Sequence, residues 1–350
     1  MGTEDEDLVR SQGQSSVTVT IPLTISVSLG SPMPMSDARA AGPKVAAPRY
    51  EDSAYVDEGS EAVASDYLTR KGYSEKFLGE KFVVQLPTIV RGANDVLSFE
   101  DRGVQSTVLK YEHYSVVMSK TRRMCFYSAV NINGKLSKKS GRVAWKWDPR
   151  IPHENQIMKE CYGDPPRFSR GHMTRREDPG WGDEVTAKRG NEDSMHVTNA
   201  TPQMQAFNSP IWLALEDYAL GHAREDDMKV SVFTGPYFKR SDPVMYDVRI
   251  PLAFWKIIAF IHDDTGQLCA TGYEMSQEQS LQPEEEFVFG EFKSPQLGTA
   301  TQISIRSIEK RSGLSFNGLA DADPFDSGQE SVSPDHPPSP LGVLEQIRFV

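Results

Sequence analysis

The chain has 350 residues, 38% of them hydrophobic and 25% charged, and a formal net charge of −11, which fits one large soluble domain or two ordinary ones with some loosely structured polar segments. No apolar run approaches the ~20 residues a membrane span needs, and the acidic start Met1–Asp7 lacks the basic and apolar regions of a secretory signal, so the expected address is cytoplasmic with no membrane partner. Three scattered cysteines, Cys125, Cys161 and Cys269, exclude a disulfide framework and a thiolate metal site and read as reduced thiols.

Residues 1–62 read as an appendage. Val17, Val19, Ile21, Leu23, Ile25, Val27 and Leu29 alternate with polar residues, the period-2 pattern of a strand with one apolar face. Pro22 places it at an edge, and a lone strand must pair with the main domain or with another chain to bury that face. A Pro-, Ala-, Ser- and Met-rich linker follows from Ser31 to Pro48, and Asp52 to Leu68 has room for a short helix.

The main domain is expected over 63–323, compact from about Lys71. Val83–Pro87 is a short extended piece; His113–Ser119 and Met124–Ile132 are strand-like, with Asn133-Gly134 as a turn. In Ser209–Leu220 the apolar residues Ile211, Trp212, Leu215, Tyr218 and Ala219 have helical spacing, with Pro210 suited to the first turn and Trp212 to the core. Lys229–Gly235, Trp255–Ile261 and Gln267–Tyr273 read as further strands. The irregular alternation points to an α+β domain rather than a doubly wound sheet. From Asn317 the chain turns Asp-, Pro- and Ser-rich, and 324–350 is expected to be mostly a disordered tail.

Charge is unevenly distributed. Residues 119–150 carry Lys120, Arg122, Arg123, Lys135, Lys138, Lys139, Arg142, Lys146 and Arg150 against the single acid Asp148. Arg167, Arg170, Arg175, Arg176, Lys188 and Arg189 follow. A basic centre between acidic flanks can bind a polyanion on one face; a plain solvated surface is the competing reading of such a run.

The chemistry concentrates in Arg167–Met173, His196–Gln203 and Asn208–Glu216. Phosphodiester hydrolysis needs a base for water near neutral pH and a hard cation for the charge that grows on phosphate and leaving group. Mg²⁺ takes few protein ligands, all oxygen. One His, one Asn carbonyl, one nearby carboxylate and some Arg are sufficient. Asn208 and Glu216 are 216 − 208 = 8 residues apart, a little over two helical turns, so both can face one side.

These segments resemble the DNA/RNA non-specific endonuclease family. The family motif Asp-Arg-Gly-His is matched by Ser169-Arg170-Gly171-His172. Thr-Asn, Pro-Gln, and an Asn followed by Trp and Leu-Glu are matched by Thr198-Asn199, Pro202-Gln203, Asn208, Trp212 and Leu215-Glu216. The likeness runs more loosely from about Lys71 to Asp323, through Tyr114–Val117, Ala129–Ile132, Trp145-Lys146-Trp147-Asp148-Pro149 and Ile308–Leu314.

The resemblance implies a ββα-metal (His-Me finger) nuclease fold with a mixed, largely antiparallel sheet core. It implies His172 as general base, Asn208 as sole direct protein ligand of Mg²⁺ (or Mn²⁺), and Glu216 as the acid that orients water on the metal. It also implies Asn199 as a residue that orders the site and Arg170 as the motif arginine near the phosphate. Arg142 is the nearest match to the family's arginine before Trp-Lys-x-Asp-Pro, one residue out of register. Arg175 and Arg176 are candidate phosphate contacts, and His196 is expected to be structural. Ser169 replaces the motif Asp, a position with no assigned base or ligand role.

The expected activity is metal-dependent cleavage of DNA and RNA to 5′ phosphates, with weak sequence preference. A homodimer or larger assembly through the N-terminal strand, and an inhibitor or regulatory partner restraining a toxin or defence effector, are further expectations. The rival is a catalytically inactive nuclease-fold protein that binds nucleic acid or assembles.

Overall fold

The computed structural model describes residues 62–164, 166–204, 223, 227–278, 281, 300–326 and 339–341, all within one compact unit that begins at residue 50. The strand expected at 17–29, the linker, the helix expected at 209–220 with Asn208 and Glu216, and most of the tail lie outside the described residues.

In chain order the elements that build the domain are β1 (Val108–Lys110), β2 (Tyr114–Met118), β3 (Cys125–Asn133), β4 (Phe168–His172), α1 (Glu184–Ser194), β5 (Ala200–Met204), β6 (Lys229–Pro236), β7 (Ala253–Ile261), β8 (Leu268–Ser276), β9 (Ala300–Ile303), α2 (Ile305–Ser312) and β10 (Ser339–Leu341). Eight of the strands form one sheet in the order β10-β9-β8-β7-β6-β3-β2-β1, antiparallel at every pairing. β4 and β5 pair separately as an antiparallel ladder. The fold class is therefore α+β with a largely antiparallel core, as expected.

The central strands are buried on both faces, which is why they read as near-continuous apolar runs. Alternate residues divide between two cores: Val130, Val232, Phe254 and Ile258 on one side, and Ala129, Phe233, Trp255, Ile257 and Ala259 on the other, where Ile305 and Ile308 of α2 join them. Each large side chain buried this way contributes roughly 1.5–3 kcal/mol. The helix α2 starts at Ser304, whose hydroxyl accepts from the Ser307 amide, and ends at Gly313 in the left-handed region (φ 75°), where glycine carries no Cβ penalty.

One register row breaks the apolar pattern. Ser128, Thr234, Lys256, Tyr273 and Gln302 pair in succession across β3, β6, β7, β8 and β9, and all five are buried. At the β3 end the Ser128 hydroxyl meets the Thr174 hydroxyl at 2.6 Å, which ties the residues just after β4 to the sheet.

Nothing in the apolar periodicity points to α1. Its sequence is polar, and it is stabilised locally: Asp183 caps it by accepting from the Thr186 amide at 2.9 Å. It is also held by polar burial of Asn191, Asp193 and Ser194 and by close packing at Gly190, where a Cβ would lie 2.1 Å from the Pro179 carbonyl oxygen. Val83–Pro87 joins no ladder, and Gly134–Leu136 forms a single 3-10 turn in place of a hairpin turn, because β3 pairs with the distant β6.

Candidate active site

His172 ends β4. Along that strand Phe168, Arg170 and His172 share one face and Ser169 and Gly171 the other. Gly171 is glycine for a steric reason: a Cβ there would lie 1.9 Å from Oε1 of Gln203, whose side chain crosses it. Ser169 donates to the Gln203 carbonyl at 3.0 Å. The residue that departs from the family motif thus lies on the face opposite His172 and is spent on the ladder.

The His172 ring is partly exposed and held from two sides. The Trp145 ring lies 4.4 Å away, centroid to centroid, and the Met195 thioether faces Nε2 at 3.2 Å. Sulfur is a weak acceptor, which suits a tautomer with its proton on Nε2 and leaves Nδ1 free to take one. Trp145 and Met195 are placed by main-chain bonds between their neighbours: Lys146 N–H donates to the Met195 carbonyl at 3.0 Å, and Val197 N–H to that of Lys146 at 2.9 Å. Packing, then the charges of Arg142, Arg176 and Arg175, push the His172 pKa from its ordinary 6.5 down to about 3.

Asn199 clamps this end of β4. Its Oδ1 accepts from the Thr174 amide at 2.8 Å, and its Nδ2 donates to the Thr174 and Ser194 carbonyls at 2.8 and 2.9 Å. Its own carbonyl accepts from Met173 N–H at 2.8 Å. With the amide committed to backbone, Asn199 orders the loop behind His172. Arg170 is buried, its guanidinium 5.1 Å from the Tyr162 ring centroid.

Arg176 donates to the Ser140 carbonyl at 2.8 Å and to Asn191 Oδ1 at 2.7 Å, and Asn191 donates to the Gly141 carbonyl at 2.9 Å. This pair fastens the basic loop 138–143 to α1, forming a cleft of about 420 Å³ lined by Lys138, Lys139, Arg142, Lys188, Glu184 and Glu192. The structure therefore brings Arg142, Arg175, Arg176 and His172 into one electrostatic neighbourhood. Of the 119–150 cluster, Lys138 and Lys139 share the cleft with Arg142, and several others lie elsewhere. Arg150, for one, is buried against Asp148 at 2.6 Å.

That pair belongs to a buried network behind the site. Tyr111 donates to Asp148 at 2.5 Å and meets Thr198 at 2.6 Å; Gln156 accepts from the Asp148 amide at 2.7 Å. Burial alone would raise the Asp148 carboxyl, but Arg150, with His196 and Tyr111, holds it below the usual range. His196 bridges the Asp193 carbonyl and the Tyr67 hydroxyl, each at 2.6 Å, the structural role expected for it. Trp145, Met195 and Asn191 carry no assigned role in the sequence reading. The Trp145-Lys146-Trp147-Asp148-Pro149 segment was the one signal for the first of them.

The sequence profile of the DNA/RNA non-specific endonuclease family matches residues 92–323, more than half of the chain, and the chain belongs to that family. It is 36% identical over 261 residues to an uncharacterized protein, y4fB, of Sinorhizobium fredii; the match takes in 71% of this chain and spans 39% of that relative's length. Among solved structures it is similar to a chain of the EndoG/EndoGI complex described as showing the mechanism of EndoG inhibition, with a TM-score of 0.46 and 20% identity over 66% of this chain and 90% of that one.

Among the described residues no three His, Cys, Asp or Glu side chains come together as a metal cage; a site with one Asn ligand needs none. An amide carbonyl is a hard oxygen donor suited to Mg²⁺ or Mn²⁺. Among the described residues, no helix is long and apolar enough to cross a membrane.

Proposed function

We propose that the chain is a metal-dependent endonuclease that hydrolyses phosphodiester bonds in DNA and RNA, with His172 as general base. The observation that carries this reading is His172 at the end of the β4–β5 ladder, kept neutral by burial and by three guanidinium groups, with no hydrogen-bond partner on Nδ1 among the described residues. In this reading Arg142, Arg175 and Arg176 attract and orient the scissile phosphate, and Arg170 supports the same strand. Nδ1 takes the proton of the attacking water while Met195 and Trp145 hold the ring. Asn199 is a positioning residue. Asn208 would hold the cation, with Glu216 beside it, and the cation supplies charge neutralisation for phosphate and leaving oxygen when bound.

A free-protein pKa near 3 makes a weak base; burial is the larger cause, and the anionic substrate offsets the part due to the guanidinium charges. A phosphate among the guanidinium groups cancels much of the positive field, so the ring becomes more basic in the complex. Cleavage of plasmid DNA and of a structured RNA in Mg²⁺, against EDTA, tests the activity. The reading expects both polymers to be degraded only with the metal; no cleavage of either in Mg²⁺ or Mn²⁺ overturns it in favour of an inactive family member.

A further inference from the structure

A second concentration of arginines is not accounted for by the site around His172. Arg122, Arg123, Arg240 and Arg249, with Thr121 and Asp247, line a cavity of about 530 Å³. Arg122 is paired with buried Asp242 at 2.8 Å, so it serves as a wall. Arg123 and Arg249 are anchored differently. Arg123 donates to the Asp247 carbonyl at 2.6 Å; its carboxylate neighbour, Asp247, is 3.6 Å away and 96% exposed. Arg249 donates to the carbonyls of Arg240 and Asp242 at 3.2 and 3.3 Å. A carbonyl fixes a guanidinium without cancelling its charge. Arg240 is exposed and makes no ion pair or side-chain hydrogen bond among the described residues. Among the described residues four cations thus face two carboxylates, Asp242 buried and paired with Arg122 and Asp247 exposed and loosely paired with Arg123.

We propose that this cavity is a second phosphate-binding site for the nucleic-acid backbone, remote from the cleavage point. The inference rests on the nuclease reading above. Guanidinium groups suit phosphate oxygens because the planar fork donates in pairs and is weakly hydrated, and anchoring by carbonyls means little side-chain freedom is lost on binding. The placement also fits. Tyr246, in the turn bordering the cavity, packs edge-on against Phe168 at 6.2 Å. Phe168 begins β4 and His172 ends it on the same face, about 13 Å on at roughly 3.3 Å per residue. A polymer rising about 3.4 Å per nucleotide covers that span in roughly four steps, and a single phosphate cannot cover it. The site therefore senses length: a dinucleotide, which carries one internucleotide phosphate, cannot occupy both positions, whereas a 20-base-pair duplex can.

The test is binding of a labelled 20-base-pair duplex and a labelled dinucleotide in EDTA, comparing wild type with R240Q/R249Q. The proposal expects duplex affinity to fall on the order of ten-fold and the slope of log affinity against log salt to flatten by about 2, with the dinucleotide much less affected. Equal duplex binding with an unchanged slope, or equal losses for both ligands, overturns it. The outcomes separate the two claims. If wild type binds as described but cleaves nothing with any metal, the nuclease reading fails and this site stands. If wild type cleaves and the variant binds as wild type does, this site fails alone.

Discussion

Replacing Arg142 by Gln tests how His172 is kept neutral. A unit charge at one Debye length, about 8 Å, contributes about 2 kcal/mol at an effective dielectric near 20, and exposure and physiological salt reduce this to about 1 kcal/mol, the scale expected of one such arginine. That corresponds to about 0.7 of a pH unit. Arg142 is the first charge, after packing, that depresses the His172 pKa to about 3. The variant should therefore titrate higher than the wild type by somewhat less than one pH unit. NMR titration of the His172 ring in metal-free protein measures this directly. Kinetics carries a second signature. The acid limb of kcat/KM reports the free protein and that of kcat the complex. A bound phosphate opposes the guanidinium charges, so the kcat limb should lie at higher pH, and R142Q should narrow the gap because less positive field remains to cancel. His172 titrating near 6.5 in the free protein, or an identical titration in R142Q, would refute the electrostatic reasoning.

Asn199→Ala removes three hydrogen bonds that hold Thr174 and Ser194 and should cost about 2–4 kcal/mol of stability, measured by urea denaturation, with kcat reduced and KM little changed. Gly171→Ala forces the Gln203 side chain aside; a loss of about 1–3 kcal/mol is expected, and G171A/Q203A should recover part of it. His113, His172 and His196 are all lowered by burial, to about 4, 3 and 4. Their unfolded pKa is near 6.5, so the unfolded chain binds more protons. The stability they contribute is full above pH 6.5 and is lost as pH falls through 6.5 towards 3. Denaturant midpoints should drop between pH 6.5 and 4, with up to ~3 protons taken up on unfolding; flat midpoints across that window would contradict this.

Much of the sheet was legible because strands buried on both faces must be apolar along their length. Tyr114–Met118, Lys229–Pro236 and Ala253–Ile261 each fall within a residue or two of the expected bounds. Helix α1 was not legible, because a helix held by a cap, polar burial and a glycine contact leaves no apolar stripe. His172, Arg170 and Asn199 were singled out by the resemblance to the family motif rather than by periodicity. The roles of Trp145 and Met195 were not: they reach His172 through tertiary packing from 27 and 23 residues away (172 − 145 and 195 − 172). The basic run 119–150 reads in sequence as one patch, yet folding sends Arg150 into a buried ion pair, Arg142 to the site and Arg122 and Arg123 to a separate cavity.

The most direct test of the central claim is cleavage and binding by His172→Ala in parallel. The account predicts that this variant retains duplex affinity in EDTA, since the phosphate contacts are arginines, while Mg²⁺-dependent cleavage of DNA and RNA falls at least 100-fold, within the ~10²–10⁴ range that general base catalysis supplies. Cleavage by the folded variant at close to the wild-type rate would contradict it and remove His172 from the chemistry.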